Sequence, residues 1–250
     1  MVMKEKMVIA QLRGTIFVPQ TIGYTPENAS KFSALLLPES KPYSANPPEM
    51  VMPGFNPAVP QYGMPWRLFK RCGEEGEYNI VFLPGKIDII LTKDIAYGGE
   101  TEKQFCDKCV EMFSNILNEL NHNTKATRIA YAPLFAVRLD ENGAEVVWSK
   151  LLKRTMIDGM SMKDVNFNFL LKREVSFTRR QIQMNLLHNF SDGMQIKQGD
   201  ADSKSFSVVL MQLDLNSIPE VSLDLDADGI KDFFDGILEV KSNLVDNVTE

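Results

Sequence analysis

Two stretches of this sequence carry a single apolar stripe at helical spacing, and each follows three strand-like segments. The first stripe runs over residues 100–120 and the second over residues 228–248. A helix with one apolar stripe must bury it against another element, and a neighbouring sheet offers a matching face. The sequence therefore predicts an α+β fold in which long helices pack on one face of antiparallel sheets.

The order of elements is repeated along the chain. Residues 1–123 read as strand, short helix, three antiparallel strands and long helix, and residues 124–250 repeat that order. The short helices are predicted over TPENASKFSALLLP in the first half and VVWSKLLKRT in the second. Residue identity between the halves is slight, so the prediction concerns element order. We expect two similar α+β halves that form one compact unit.

A proline-rich loop is predicted at residues 38–65, which contain eight of the thirteen prolines. Proline fixes its own φ angle and removes a backbone donor, so regular structure is disfavoured at that density. The segment also carries aromatic and methionine side chains, which are unusual on a free linker. Tyr62 and Trp66 lie where the loop enters the next strand. We expect them either to anchor the loop or to form part of a partner-binding site.

Composition limits the class of protein. The chain has a formal net charge of -6 and three cysteines. This acidic balance argues against wholesale binding of nucleic acid or anionic membranes. No segment has the roughly 20 apolar residues that a membrane helix needs. The first residues lack the apolar run of a signal peptide, and three cysteines make no disulfide framework, so we expect a cytoplasmic protein.

The stretch LDLDADGIKDFFD, residues 223–235, matches the residue pattern of a calcium-binding loop. Oxygen ligands would come from Asp224, Asp226, Asp228 and Asp235, with Gly229 at the turn. However, an extended segment precedes the run where an EF-hand requires a helix. We interpret Asp226 or Asp228 as the N-cap of the last helix, with calcium as the alternative.

Cys106 and Cys109 form a CxxC motif, which together with Cys72 and His122 has the residue types of a zinc site. Both cysteines of the motif fall on the apolar stripe of the predicted helix. Free cysteine at such a position behaves as a small buried hydrophobe. We therefore predict core packing for the motif, with no metal and no cofactor.

The sequence contains no recognisable catalytic motif. Its two histidines, His122 and His188, are far apart, and neither GxSxG nor HExxH occurs. The glycine-rich signatures of nucleotide-binding loops are missing as well. No catalytic residue is predicted.

Four basic residues flank a predicted hairpin tip in LKREVSFTRR. They are Lys172, Arg173, Arg179 and Arg180. Such a rim could contact phosphates, which makes nucleic acid a candidate ligand. The alternative is a solvated rim whose charges prevent unwanted strand pairing.

The stretches from PWRLFKRC to NILNEL and from LDLDADG to the last residue resemble, in pattern and element order, a sporadically distributed bacterial family of conserved, uncharacterised proteins. The resemblance implies a bacterial cytosolic protein with duplicated α+β halves. It assigns no catalytic or binding residue.

These observations favour a non-enzymatic binding or interaction protein of the bacterial cytoplasm. Self-association or a protein partner is expected, because the proline-rich loop carries apolar side chains that would otherwise be exposed to water. One alternative is a nucleic-acid-associated protein that uses the basic hairpin rim. Another is an enzyme without a recognisable motif, with its site in a cleft between the halves.

Overall fold

The computed structural model describes residues 7–43, 65–71, 76–96, 100–120, 123–139, 166–196 and 206–249. Within these ranges three helices accompany ten strands, which form a single sheet. All strand pairs are antiparallel. The predicted α+β class with antiparallel strand pairing is therefore confirmed, and the strands form one large sheet.

The elements follow one another in this order: β1 (Met7–Phe17), α1 (Pro26–Leu36), β2 (Lys41–Tyr43), β3 (Trp66–Arg71), β4 (Glu77–Leu83), β5 (Lys86–Ala96), α2 (Glu100–Leu120), β6 (Arg128–Tyr131), β7 (Leu134–Leu139), β8 (Asn166–Ser176), β9 (Gln181–Ile196), β10 (Phe206–Ser217) and α3 (Ala227–Thr249). Across the sheet the order is β2-β3-β4-β5-β1-β6-β10-β9-β8, and β7 pairs with β1 and β10. Among the described residues, none of the helices is long and apolar enough to cross a membrane.

The short helix α1 begins as the sequence predicts. The Thr25 hydroxyl accepts the backbone N–H of Asn28 at 3.0 Å, and Pro26 occupies the first turn, where its missing donor costs nothing. Phe32 on the buried side of α1 packs against Trp66 and Phe82. These contacts fix α1 on the sheet beside β3 and β4.

The long helices α2 and α3 meet above the centre of the sheet at Gly14 of β1. A Cβ atom at Gly14 would lie 2.7 Å from Sγ of Cys109, 3.1 Å from the Phe234 ring and 3.4 Å from the Phe113 ring. Since Cys109 and Phe113 belong to α2 and Phe234 to α3, both helices lie on the same side of β1. We call this side of the sheet the helix face.

The two faces of the sheet differ in polarity. A cross-strand row on the helix face joins Ile89, Gly14, Tyr131, Leu215, Leu186 and Leu171. The adjacent row on the other side, which we call the polar face, joins Asp88, Thr15, Ala130, Asn216, Asn185 and Lys172. The sheet thus buries this apolar row under the helices, as expected for an antiparallel sheet with one packed face, except for Leu171 at the edge.

Two details differ from the predicted elements. The segment ATRIAYAPLFAVRLD was predicted as one strand, but it forms β6 and β7 with a break at Pro133, which has no N–H for a ladder hydrogen bond. Inside the predicted proline-rich loop, Lys41–Tyr43 forms β2, because proline is tolerated on an edge strand. Residues 44–64 of that loop and the predicted short helix VVWSKLLKRT lie outside the described residues.

Candidate interaction surface

Strand β8 forms one end of the strand order and pairs with β9 along its whole length of eleven residues. In the part of the chain that the structure describes, no strand pairs with its outer edge. An edge strand of this length presents a row of backbone donors and acceptors to an incoming chain. The geometry is that of a surface for strand addition.

Two adjacent leucines make the edge apolar on both faces of the sheet. Leu170 is 51% exposed and Leu171 is 47% exposed. Leu171 pairs with Leu186 on the helix face, whereas Leu170 pairs with Leu187 on the polar face. A second strand placed against β8 would cover part of both side chains.

The turn that joins β8 to β9 is held on helix α3. The backbone N–H of Arg179 donates to both carboxylate oxygens of Asp232, at 3.0 and 3.2 Å. The ring of Phe177 packs against the ring of Phe233, with 5.4 Å between centroids, and against Gly236. The turn is therefore held on the helix layer, and a strand that added to β8 would meet an edge that is already ordered, at a low entropic cost.

An aromatic cluster supports the first half of β8 on the helix face. The ring of His188 is stacked on Phe169 with 4.4 Å between centroids, and Phe167 and Phe190 lie beside them. His188 is 1% exposed, and neither ring nitrogen has a hydrogen-bond partner among the described residues. Burial lowers the pKa of His188 to about 4, so the ring is neutral near pH 7.

The four predicted basic residues do not form one patch. Lys172 and Arg173 are exposed, but as neighbours in a strand they point to opposite faces of the sheet. The guanidinium of Arg179 forms an ion pair with Asp228 at 2.5 Å, which raises its pKa. The guanidinium of Arg180 lies against Gly229 at the start of α3. Two of the four cations are thus directed at the acidic end of α3.

The aspartate run is divided among separate roles. Asp226 is the N-cap of α3, since its Oδ1 accepts the backbone N–H of Gly229 at 2.9 Å. Asp228 pairs with Arg179 and Asp235 with Lys231. Asp224 is exposed in the segment before the helix. Among the described residues, no group of three or more His, Cys, Asp or Glu side chains is placed to hold a metal ion.

Of the two predicted aromatic binding residues, Trp66 serves the core. Its indole N–H donates to the carbonyl of Ile22 at 2.8 Å, and its ring stacks on Phe82 with 4.1 Å between centroids. The side chain is buried and offers no surface to a partner. Tyr62 lies outside the described residues, as do Cys72 and His122 of the zinc alternative.

Cys106 and Cys109 of the CxxC motif are buried on α2 and are free thiols. Burial is the main cause that raises the pKa of both thiols, so the reactive thiolate is disfavoured. The motif therefore contributes to packing, and Cys109 fills the space above Gly14.

A polar cluster that the sequence did not reveal lies between the two long helices and the sheet. Nζ of Lys241 donates to Oε2 of Glu102 at 2.6 Å, and the Tyr131 hydroxyl donates to Oε1 of Glu102 at 2.6 Å. Burial and the Glu102 carboxylate raise the pKa of Tyr131 well above 10, so the phenol keeps its proton. All three side chains are buried, so the cluster ties α2, α3 and β6 together and does not face a substrate.

The exposed apolar edge of β8 was also missed by sequence reasoning. Phe167, Phe169 and Leu171 alternate along the strand, which predicts one buried face. Leu170 breaks the alternation and adds a second apolar face, but apolar residues on both faces also suit a buried central strand, so the strand order was needed to identify the edge.

The chain matches no model of a protein family, no curated protein and no solved structure.

Proposed function

We propose that this chain is a non-enzymatic interaction protein that binds another protein through the outer edge of β8. The observation that carries the proposal is the pair of half-exposed leucines, Leu170 and Leu171, at the centre of an eleven-residue edge strand. Backbone hydrogen bonds along the edge would supply affinity. The leucines, which lie on opposite faces, would select a partner strand with apolar residues on both sides.

The proposed organisation is a duplication, as the element order predicts. The strand order supports it: β3-β4-β5-β1 runs from the outside to the centre on one side, and β8-β9-β10 followed by β6 and β7 does so on the other. In this arrangement β8 is the counterpart of β3, and α3 is the counterpart of α2. The first half adds β2 beyond β3, whereas β8 has no such cover among the described residues.

A place in the bacterial cytoplasm and membership of the family that the sequence resembles remain part of the proposal. The low cysteine count and the two free buried thiols, Cys106 and Cys109, suit a reducing compartment and support only the cytoplasmic location.

The alternative functions have less support. A phosphate-binding rim would need Arg179 and Arg180 turned toward solvent together with Lys172 and Arg173, yet Arg179 is paired with Asp228. An enzyme would need titratable groups that converge on a cleft. The buried ionisable cluster around Glu102 is closed instead.

The proposal is tested by affinity capture from an extract of the native host. Immobilised wild type is compared with a double variant, Leu170→Asp with Leu171→Asp, that places charge on both faces of the edge. The matched control is Gln212→Asp with Thr92→Asp, two exposed sheet positions away from β8. We expect the bound protein to be lost from the edge variant alone, by tenfold or more.

Hydrogen exchange then locates the contact. Residues 166–176 should exchange more slowly in the captured complex than in the free protein, because the outward N–H groups acquire partners. A captured protein that binds the edge variant as well as the wild type, with no change over β8, would refute the proposal.

A further inference from the structure

The residues of β8 are nearly complementary to themselves when two copies of the strand run antiparallel. Antiparallel strands place paired side chains on the same face, so a two-fold axis through the edge must pair residues whose positions differ by an even number. An axis at Leu171 is the one that pairs all eleven residues of Asn166–Ser176. An axis shifted toward either end leaves residues of both strands unpaired.

Side chains on the helix face would meet favourably in this register. Leu171 would lie opposite Leu171 of the second copy, which buries a side chain that is 47% exposed in one copy. Arg173 would lie opposite Phe169, a pairing of a cation with an aromatic ring. Val175 would lie opposite Phe167, and β-branched and aromatic residues form good cross-strand pairs.

The charges of β8 are compatible with this register and disfavour two neighbouring ones. With the axis at Leu171, Lys172 lies opposite Leu170, Glu174 opposite Asn168, and no like charges stand directly opposite. An axis at Lys172 would oppose two ammonium groups, and an axis at Arg173 would oppose two guanidinium groups. In the favoured register the two Lys172 side chains are diagonal neighbours, where exposed ammonium groups can diverge into solvent.

We infer that the partner of β8 is a second copy of this chain, joined antiparallel through a two-fold axis at Leu171 so that two sheets become one continuous sheet. This inference rests on the proposed function and names the partner. The contact is narrow, one strand wide, so association should be reversible and concentration-dependent.

The first experiment measures mass by light scattering over a concentration series. The mass should rise from 28.3 kDa toward twice that value. Leu171→Lys and Leu171→Glu should each raise the dissociation constant of the dimer about tenfold or more, because each opposes like charges at the axis. An equimolar mixture of these two variants should dimerise again, because lysine now faces glutamate. This recovery also shows that both variants are folded.

Position 170 provides the matched control for the register. Leu170→Glu should keep or strengthen the dimer, because its carboxylate would face Lys172, whereas Leu170→Lys should weaken it. Recovery in a mixture of the two Leu170 variants, with none in the mixture at Leu171, would overturn the axis. A wild type that stays monomeric throughout would overturn self-association. If the same wild type still captures another protein through β8, the proposed function survives that result.

Discussion

Nζ of Lys241 lies 2.6 Å from Oε2 of Glu102, and both side chains are only 3% exposed. The pair joins α3 to α2, and the hydroxyl of Tyr131 adds a bond from the sheet. A buried charge without its partner is costly, so the two helices have one favoured alignment over β6. The cluster thus links the helix layer to the sheet at its centre.

Removal of the ammonium from this pair should destabilise the fold strongly. Lys241→Met leaves the Glu102 carboxylate buried without its cation, and we expect a loss of about 3–5 kcal/mol in the free energy of unfolding. Urea denaturation followed by circular dichroism measures it. The double variant Lys241→Met with Glu102→Gln should lose less than the sum of the single losses. Strictly additive losses would contradict the coupling.

Acid should destabilise the fold through His188. Its pKa is lowered from 6.5 to about 4, so between these values the unfolded chain binds more protons than the folded one. Stability that is present above about pH 6.5 is therefore lost as the pH falls toward 4, by roughly 3 kcal/mol at most.

The variant His188→Phe isolates this contribution. Its difference in unfolding free energy from the wild type should move in favour of the variant as the pH falls through that window. Chemical denaturation at several pH values gives the difference. A constant difference from pH 7 to pH 4 would contradict the lowered pKa of His188 in the folded state.

A methyl group at Gly14 should be poorly tolerated. Gly14→Ala would place Cβ 2.7 Å from Sγ of Cys109 and 3.1 Å from the Phe234 ring, so the side chains between the helices and β1 must move. We expect a loss of about 1–3 kcal/mol, the usual cost of overpacking. Gly23→Ala is the matched control, because a Cβ there meets nothing within 4 Å. Thermal unfolding compares the two, and equal effects would contradict the close packing at Gly14.

The two carboxylates that hold the β8–β9 turn should differ in how much each contributes to the stability of the fold. Asp232→Ala removes a buried acceptor from the Arg179 N–H and should cost about 1–3 kcal/mol. Asp228→Ala breaks an exposed ion pair with the same residue and should cost much less, because solvent screens the two charges. Denaturation of both variants checks the order, and a larger loss at Asp228 would contradict it.

Local features of this fold could be predicted from sequence, whereas long-range ones could not. Thr25 and Pro26 mark the start of α1, and Asp226 caps α3. Both helix starts are predictable because a cap depends only on residues three or four apart in the chain. The stripes of α2 and α3 likewise follow from helical spacing. These signals are complete within one segment of chain.

The remaining features depend on which strands become neighbours. Alternation predicts β8 as a strand but does not say that it lies at the edge, since Phe167, Phe169 and Leu171 would suit a central strand as well. Lys241 and Glu102 are 139 residues apart, and nothing local to either marks the other. The candidate surface could therefore be recognised only after the strand order was known.

The most direct test of the contact at β8 is a cross-link at the proposed axis. In the paired state, Leu171→Cys brings two thiols opposite each other at a Cα separation of about 4.5–5.5 Å, which is within disulfide reach. Ser176→Cys is also at an exposed position of β8 but would lie opposite Asn166 of the second copy, too far from its own equivalent to react. Oxidation of dilute protein should give a covalent dimer with Leu171→Cys and monomer with Ser176→Cys. No cross-link at position 171, or equal cross-linking at both positions, would contradict the account.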